Sequence, residues 1–128
     1  MLDVAVVGLG WWGRIILPQL VGNAKLRPVV AVDVNPASEA FARGLGVPFT
    51  TDLAAALANP AVKGVVLCTP HTQHTDQIIA AANAGKHVFC EKPLSMSHEA
   101  VVRAVEAVNR AGVALAVGHE KRFEPPIL

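Results

Sequence analysis

Charge is scarce in this chain: Asp, Glu, Lys and Arg make up 16% of its 128 residues, and the formal net charge is +1. The few charges are interspersed. No basic stripe suits a nucleic-acid backbone, and no charge run forms an interaction tail. Long apolar runs are missing too; none approaches the length needed to cross a bilayer. The N-terminus has no basic leader and carries Asp3, so no signal peptide is expected. Cysteine is limited to Cys68 and Cys90, whose separation fits neither a metal site nor a redox pair. Free buried thiols, as in a reducing cytoplasm, are the expectation.

Apolar residues, in contrast, make up 52% of the chain. A parallel sheet covered on both faces requires near-continuous apolar strands. A domain separated from a partner also carries apolar surface that the partner would cover. Strand-length apolar runs fall at 3–7, 29–32, 47–50, 65–68, 87–90 and 113–117. Segments of helical period lie between them. The first runs over 11–21 and contains Pro18, which should bend or loosen it. The second starts at an Asn35-Pro36 cap and ends near Gly44 and Gly46. Asp52 is positioned to cap a third through Ala58, Gly85 to close a fourth over 75–84, and Ser97 to cap a fifth that ends at Gly112. This alternation predicts an α/β domain built of βαβ units. Six strands would complete a doubly wound parallel sheet, the Rossmann arrangement, in the order 3-2-1-4-5-6. Residues 1–118 are expected to form it, and 119–128, with Pro125-Pro126, to connect it to something further.

One motif carries chemistry. Gly8-Leu9-Gly10-Trp11-Trp12-Gly13 matches G-x-G-x-x-G, follows an apolar strand and opens a helix. Gly8 permits a tight turn, Gly10 lets backbone approach a pyrophosphate, and Gly13 allows close helix–strand packing. The helix N-terminus offers free N–H groups and partial positive charge to the phosphates. Asp33 lies twenty residues beyond Gly13, at the end of the second strand. There a carboxylate can accept hydrogen bonds from the adenosine ribose and would repel a 2′-phosphate, favouring NAD over NADP. The plainer alternative is a structural glycine turn followed by a capping aspartate. Trp11 and Trp12 lie in the phosphate loop, one for packing and the other to cover the cofactor or face another domain.

Ligands of open α/β sheets bind outside the carboxyl ends of the strands. The loops expected there are Thr69-Pro70-His71-Thr72-Gln73-His74, Glu91-Lys92-Pro93 and Gly118-His119-Glu120-Lys121-Arg122-Phe123. Together with GLGWWG, the runs CTPHTQH, CEKPLS and GHEKRFEP resemble the glucose–fructose oxidoreductase/inositol dehydrogenase (Gfo/Idh/MocA) family, in register over nearly the whole chain. The resemblance implies nicotinamide-dependent redox chemistry on a sugar, polyol or related hydroxyl–carbonyl substrate. It implies that Lys92 is catalytic and close to the substrate hydroxyl and nicotinamide, with Glu91 beside it. It implies that Thr69, Pro70 and His71 line the cofactor, and that His74, at the start of the next helix, and Arg122, at the edge of the site beside Phe123, are also among the cofactor-binding residues. It also implies a second domain that supplies much of the substrate pocket. Alcohol oxidation needs a group that takes the hydroxyl proton as hydride leaves, and an amine suits it. Spacing alone would leave Lys92 an exposed loop lysine paired with Glu91. His71, His74 and His119 could equally be loop or capping residues, and none belongs to a metal-spaced triplet.

An alternative is a module that holds NAD but catalyses nothing alone. Intact Gly8, Gly10, Gly13, Asp33 and Lys92 argue against a fold that has lost its cofactor. The expected partners are a small sugar- or polyol-like substrate and further copies of the chain, with no nucleic acid or membrane.

Overall fold

The computed structural model describes residues 1–119, 125 and 126. Six strands form one sheet: β1 (Leu2–Val7), β2 (Leu26–Val32), β3 (Phe49–Thr50), β4 (Gly64–Leu67), β5 (His87–Glu91) and β6 (Leu115–Gly118). All neighbours pair in parallel, in the order β3-β2-β1-β4-β5-β6. The helices are α1 (Gly13–Leu20), α2 (Glu39–Gly44), α3 (Leu53–Ala58), α4 (His74–Asn83) and α5 (His98–Ala111). The doubly wound reading therefore holds.

Several boundaries differ from expectation for local reasons. The first helix begins at Gly13, because residues 10–12 form the turn that precedes it, and Pro18 is retained near its end. The second strand begins earlier, at Leu26, since Leu26 pairs with Leu2; the register slips between Val4 and Ala5, opposite Pro28, which has no N–H to give to the ladder. The helix expected after Asn35 divides into a 3-10 turn, Pro36–Ser38, and α2. Asn35 does cap it, its Oδ1 accepting from the Ala37 N–H at 3.0 Å. Asp52 makes no side-chain cap; its own N–H donates to Thr50 Oγ1 at 3.1 Å. Ser97 and Gly112 act as expected, Ser97 Oγ accepting from the Ala100 N–H at 3.2 Å and Gly112 closing α5 with φ 69°.

Two apolar cores flank the sheet. Val7, Val65, Leu67, Val88 and Cys90 pack with Ile78, Ala81, Ala104 and Val108 under α4 and α5. Val4, Val6 and Ala31 pack with Leu9, Leu17 and Ala42 under α1 and α2. Right-handed crossovers place the two helix pairs on opposite faces and opposite halves of the sheet. The second face of β5 and β6 therefore has no helix over it among the described residues. The pattern of β5 records this: Val88 and Cys90 are buried, while His87 and Phe89 are exposed. Leu2, Leu26, Val66, Phe89, Leu115 and Ala116 line a shallow apolar groove there.

Candidate functional site

Parallel strands bring their carboxyl ends to one edge, so the turn after β1, Asp33 after β2 and the loops after β4 and β5 converge. The glycine turn is anchored by the Gly8 N–H donating to Val32 O at 2.8 Å and the Cys68 N–H donating to Val7 O at 2.7 Å. Gly8 has φ 93°, and a Cβ there would stand 2.9 Å from Thr69 N. A Cβ on Gly13 would fall 1.8 Å from Gly8 O, so the helix can pass this close only over glycine. Gly10 is different: a Cβ there meets nothing within 4 Å, yet the residue lines the cleft. Structure therefore demands Gly8 and Gly13, whereas only something occupying the cleft would demand Gly10.

Among the described residues, the N–H groups of residues 10–13 have no hydrogen-bond acceptor, and no side chain caps α1. This is the anion-binding arrangement of a helix N-terminus. Asp33 braces the turn. Its Oδ2 accepts from the Leu9 N–H at 2.6 Å and its Oδ1 from the Asn35 N–H at 2.8 Å. A carboxylate has roughly four acceptor positions, so two remain for ligand hydroxyls.

The cleft has two adjoining parts. One, about 530 Å³, is lined by Gly8, Gly10, Asp33, Val34, Thr51, Leu53, Gln73 and Gln77. The other, about 340 Å³, is lined by His71, His74, Glu91 and Lys92. Trp11, Trp12, Cys68, Thr69 and Pro70 border both. Trp11 is 78% exposed and stacks obliquely on Trp12, ring centroids 5.7 Å apart. The Trp12 indole N–H is buried without an acceptor among the described residues. An unpaired buried donor costs about 1–3 kcal/mol. An acidic residue at one end, a bare helix N-terminus in the middle and a lysine at the other end suit the chemistry of a dinucleotide.

The loops after β4 and β5 are held together from beneath. His74, 1% exposed, sets Nε2 2.9 Å from Thr69 O and Nδ1 2.9 Å from Pro93 O. Thr75 Oγ1 donates to Ser95 Oγ at 3.0 Å. Thr69 also hydrogen-bonds Gln77, whose amide donates to Gln73 Oε1 at 3.2 Å. The Glu91 carboxylate lies against Gly118 at the end of β6, where a Cβ would come within 3.0 Å of it. Burial first, then the nearby Glu91 charge, pushes the thiols of Cys68 and Cys90 up to about 12. They are protonated packing groups and not nucleophiles.

Of the residues singled out from sequence, Gly8, Gly10, Trp11, Trp12, Asp33, Thr69, Pro70, His71, His74, Glu91 and Lys92 all border the cleft. Gly13 packs behind it. Arg122 and Phe123 lie outside the described residues. Lys92 is exposed and, among the described residues, forms no ion pair, with Glu91 or otherwise. Sequence reading named Gln73 only as part of its loop and missed Gln77, Val34, Thr51 and Leu53. The spacing of Gln73 and Gln77, four apart at the start of a helix, was an available signal.

Fold and site together define a dinucleotide-binding domain of the doubly wound type. Comparison with known proteins agrees: residues 2–119 match the Gfo/Idh/MocA family, described as an oxidoreductase family with an NAD-binding Rossmann fold. The chain is 37% identical over 122 residues to an inositol 2-dehydrogenase of Rhizobium meliloti, spanning 94% of this chain and 36% of that protein. It is 37% identical over 124 residues to scyllo-inositol 2-dehydrogenase (NAD(+)) of Bacillus subtilis, again 94% against 36%. The crystal structure of scyllo-inositol dehydrogenase from Lactobacillus casei with NAD(H) and scyllo-inositol superimposes with TM-score 0.89 at 27% identity, over 97% of this chain and 38% of that one. This chain belongs to the Gfo/Idh/MocA family and is its NAD-binding Rossmann domain. It spans little more than a third of the length of these relatives. No helix among the described residues is long and apolar enough to cross a membrane.

Proposed function

We propose that these residues are the cofactor-holding part of an NAD-dependent dehydrogenase of polyols or sugars, with Lys92 as the group that takes the substrate's proton. One observation carries the reading: Lys92 and Glu91 line the same cleft as the glycine turn's Trp12 and the Thr69–His71 loop. In this reading the N–H groups of residues 10–13 hold the pyrophosphate and Asp33 the adenosine ribose. Gln73 and Gln77 wall the cleft between them. Bound NAD supplies the hydride acceptor. Lys92 Nζ would be the group that receives the hydroxyl proton of an alcohol substrate, so that charge does not build up on the oxygen. Trp11 and Trp12 shield that end of the cleft from water.

In this reading residues 1–118 are the nucleotide domain and 119–128 the connection toward the part that completes the substrate pocket. The relatives named as inositol dehydrogenases support a cyclic polyol as substrate. The uncovered apolar face of β5 and β6 supports self-association of the domain, and the unpaired thiols suit a cytoplasmic location. The test is NADH formation by the complete protein with inositol isomers and related sugars, repeated with Lys92→Met. We expect turnover to disappear in the variant while NAD binding persists. Near-normal turnover would remove Lys92 from the reaction.

A further inference from the structure

We propose that His74 is a positioning residue that sets where Lys92 stands relative to the cofactor. The inference rests on the assignment of Lys92 above. His74 is the first residue of α4 and is 1% exposed. Its two ring nitrogens each stand 2.9 Å from a backbone carbonyl, that of Thr69 on one side and that of Pro93 on the other. Thr69 belongs to the loop that borders both halves of the cleft. Pro93 directly follows Lys92. One side chain therefore ties the cofactor-lining loop to the lysine-bearing loop, one residue from the amine.

The chemistry of the contact is unusual for a merely buried histidine. Backbone carbonyls accept and never donate. Each contact is therefore a hydrogen bond in which the ring nitrogen facing the carbonyl donates. The two loops also differ in how else they are held. The Thr69 side has further ties, through Gln77 and through the Gln73 N–H donating to Pro70 O at 2.9 Å. On the Pro93 side, the other side-chain tie to α4 is the Thr75–Ser95 bond. Losing His74 should therefore release the lysine loop more than the cofactor loop. A displacement of about 1 Å at a reacting group can reduce turnover on the order of a hundredfold.

The test uses the complete protein with His74→Leu, which keeps no donor, and His74→Gln, which keeps an amide able to serve one carbonyl. Hydrogen exchange of the 91–97 peptide, NAD affinity and kcat are measured for each, beside Lys92→Met. We expect faster exchange in 91–97 with β1 and α1 unchanged, NAD affinity retained, and kcat reduced about a hundredfold in His74→Leu and less in His74→Gln. If His74→Leu does not fold, His74→Gln carries the comparison. Unchanged exchange in 91–97 overturns the proposal whatever kcat does. Loss of NAD affinity in parallel with kcat overturns it as well, since the residue would then serve the cofactor loop. Faster exchange with unchanged kcat, while Lys92→Met is inactive, also rules out the positioning role. Full turnover by Lys92→Met is a different failure and removes the assignment of Lys92 itself.

Discussion

Substituting Gly10 and Gly13 in turn separates a glycine kept for the fold from one kept for the ligand. A methyl group on Gly13 would stand 1.8 Å from Gly8 O. Backbone would have to move by more than an ångström, so Gly13→Ala should exceed the roughly 1–3 kcal/mol of ordinary overpacking. A methyl group on Gly10 touches nothing within 4 Å, and its φ lies outside the left-handed range. Gly10→Ala should leave stability unchanged or raise it by about 0.4–1 kcal/mol, through the unfolded chain. The added carbon would enter the space in which, in the reading proposed above, the N–H groups of residues 10–13 meet the pyrophosphate. Losing one charge-assisted hydrogen bond there costs about 1.5–3 kcal/mol. That corresponds to NAD affinity weakened about 10- to 150-fold. Thermal denaturation measures the first quantity and calorimetric NAD titration the second. Gly10→Ala with full stability and unchanged NAD affinity would refute the placement of the phosphates on this turn; Gly10→Val gives a stricter version of the same test.

Further predictions concern individual side chains. The unmodified domain should bind NAD more tightly than NADP in competition titrations. Asp33→Ala should narrow that ratio and also lower the melting temperature, because the same carboxylate holds the Leu9 and Asn35 N–H groups. Equal affinity for both cofactors would contradict the role given to Asp33. With thiols pushed up to about 12, Cys68 and Cys90 should resist iodoacetamide at pH 8 in the folded protein and react promptly in guanidinium. Rapid labelling of the folded chain would contradict their burial. The Arg27 guanidinium, hydrogen-bonded to Asp3 at 2.7 and 2.8 Å, holds the Asp3 carboxyl below its ordinary value of 3.8. A carboxyl depressed in the folded state adds stability above its unfolded value, and that stability is lost as pH falls through the folded one. Asp3→Asn should flatten the acid limb of a stability–pH curve below about pH 4 and leave its neutral shape intact. Phe89, 38% exposed in the apolar groove, gives the last test. Phe89→Glu should reduce concentration-dependent light scattering of this chain, and a parent chain that stays monomeric at high concentration would refute the groove as a contact surface.

Sequence by itself determined the class of fold, because strand and helix announce themselves by period and apolar strands imply a doubly covered sheet. It also determined the phosphate turn, since a G-x-G-x-x-G after an apolar strand has few other uses. Local order misled where a neighbour decided the outcome. Leu26 became strand because Leu2 lies beside it, and the Asp52 carboxylate makes no cap to the helix that follows it. Tertiary structure alone decided three further points. It showed that Asp33, expected to accept from the adenosine ribose, also braces the glycine turn. It brought Gln77 of α4 to the cleft wall beside Gln73. It placed His74 between two carbonyls from loops 24 residues apart in sequence, Thr69 and Pro93. Hydrogen bonds between distant backbone atoms leave no periodicity in a sequence. They depend on which strand ends the crossovers bring together, and only the folded chain supplies that.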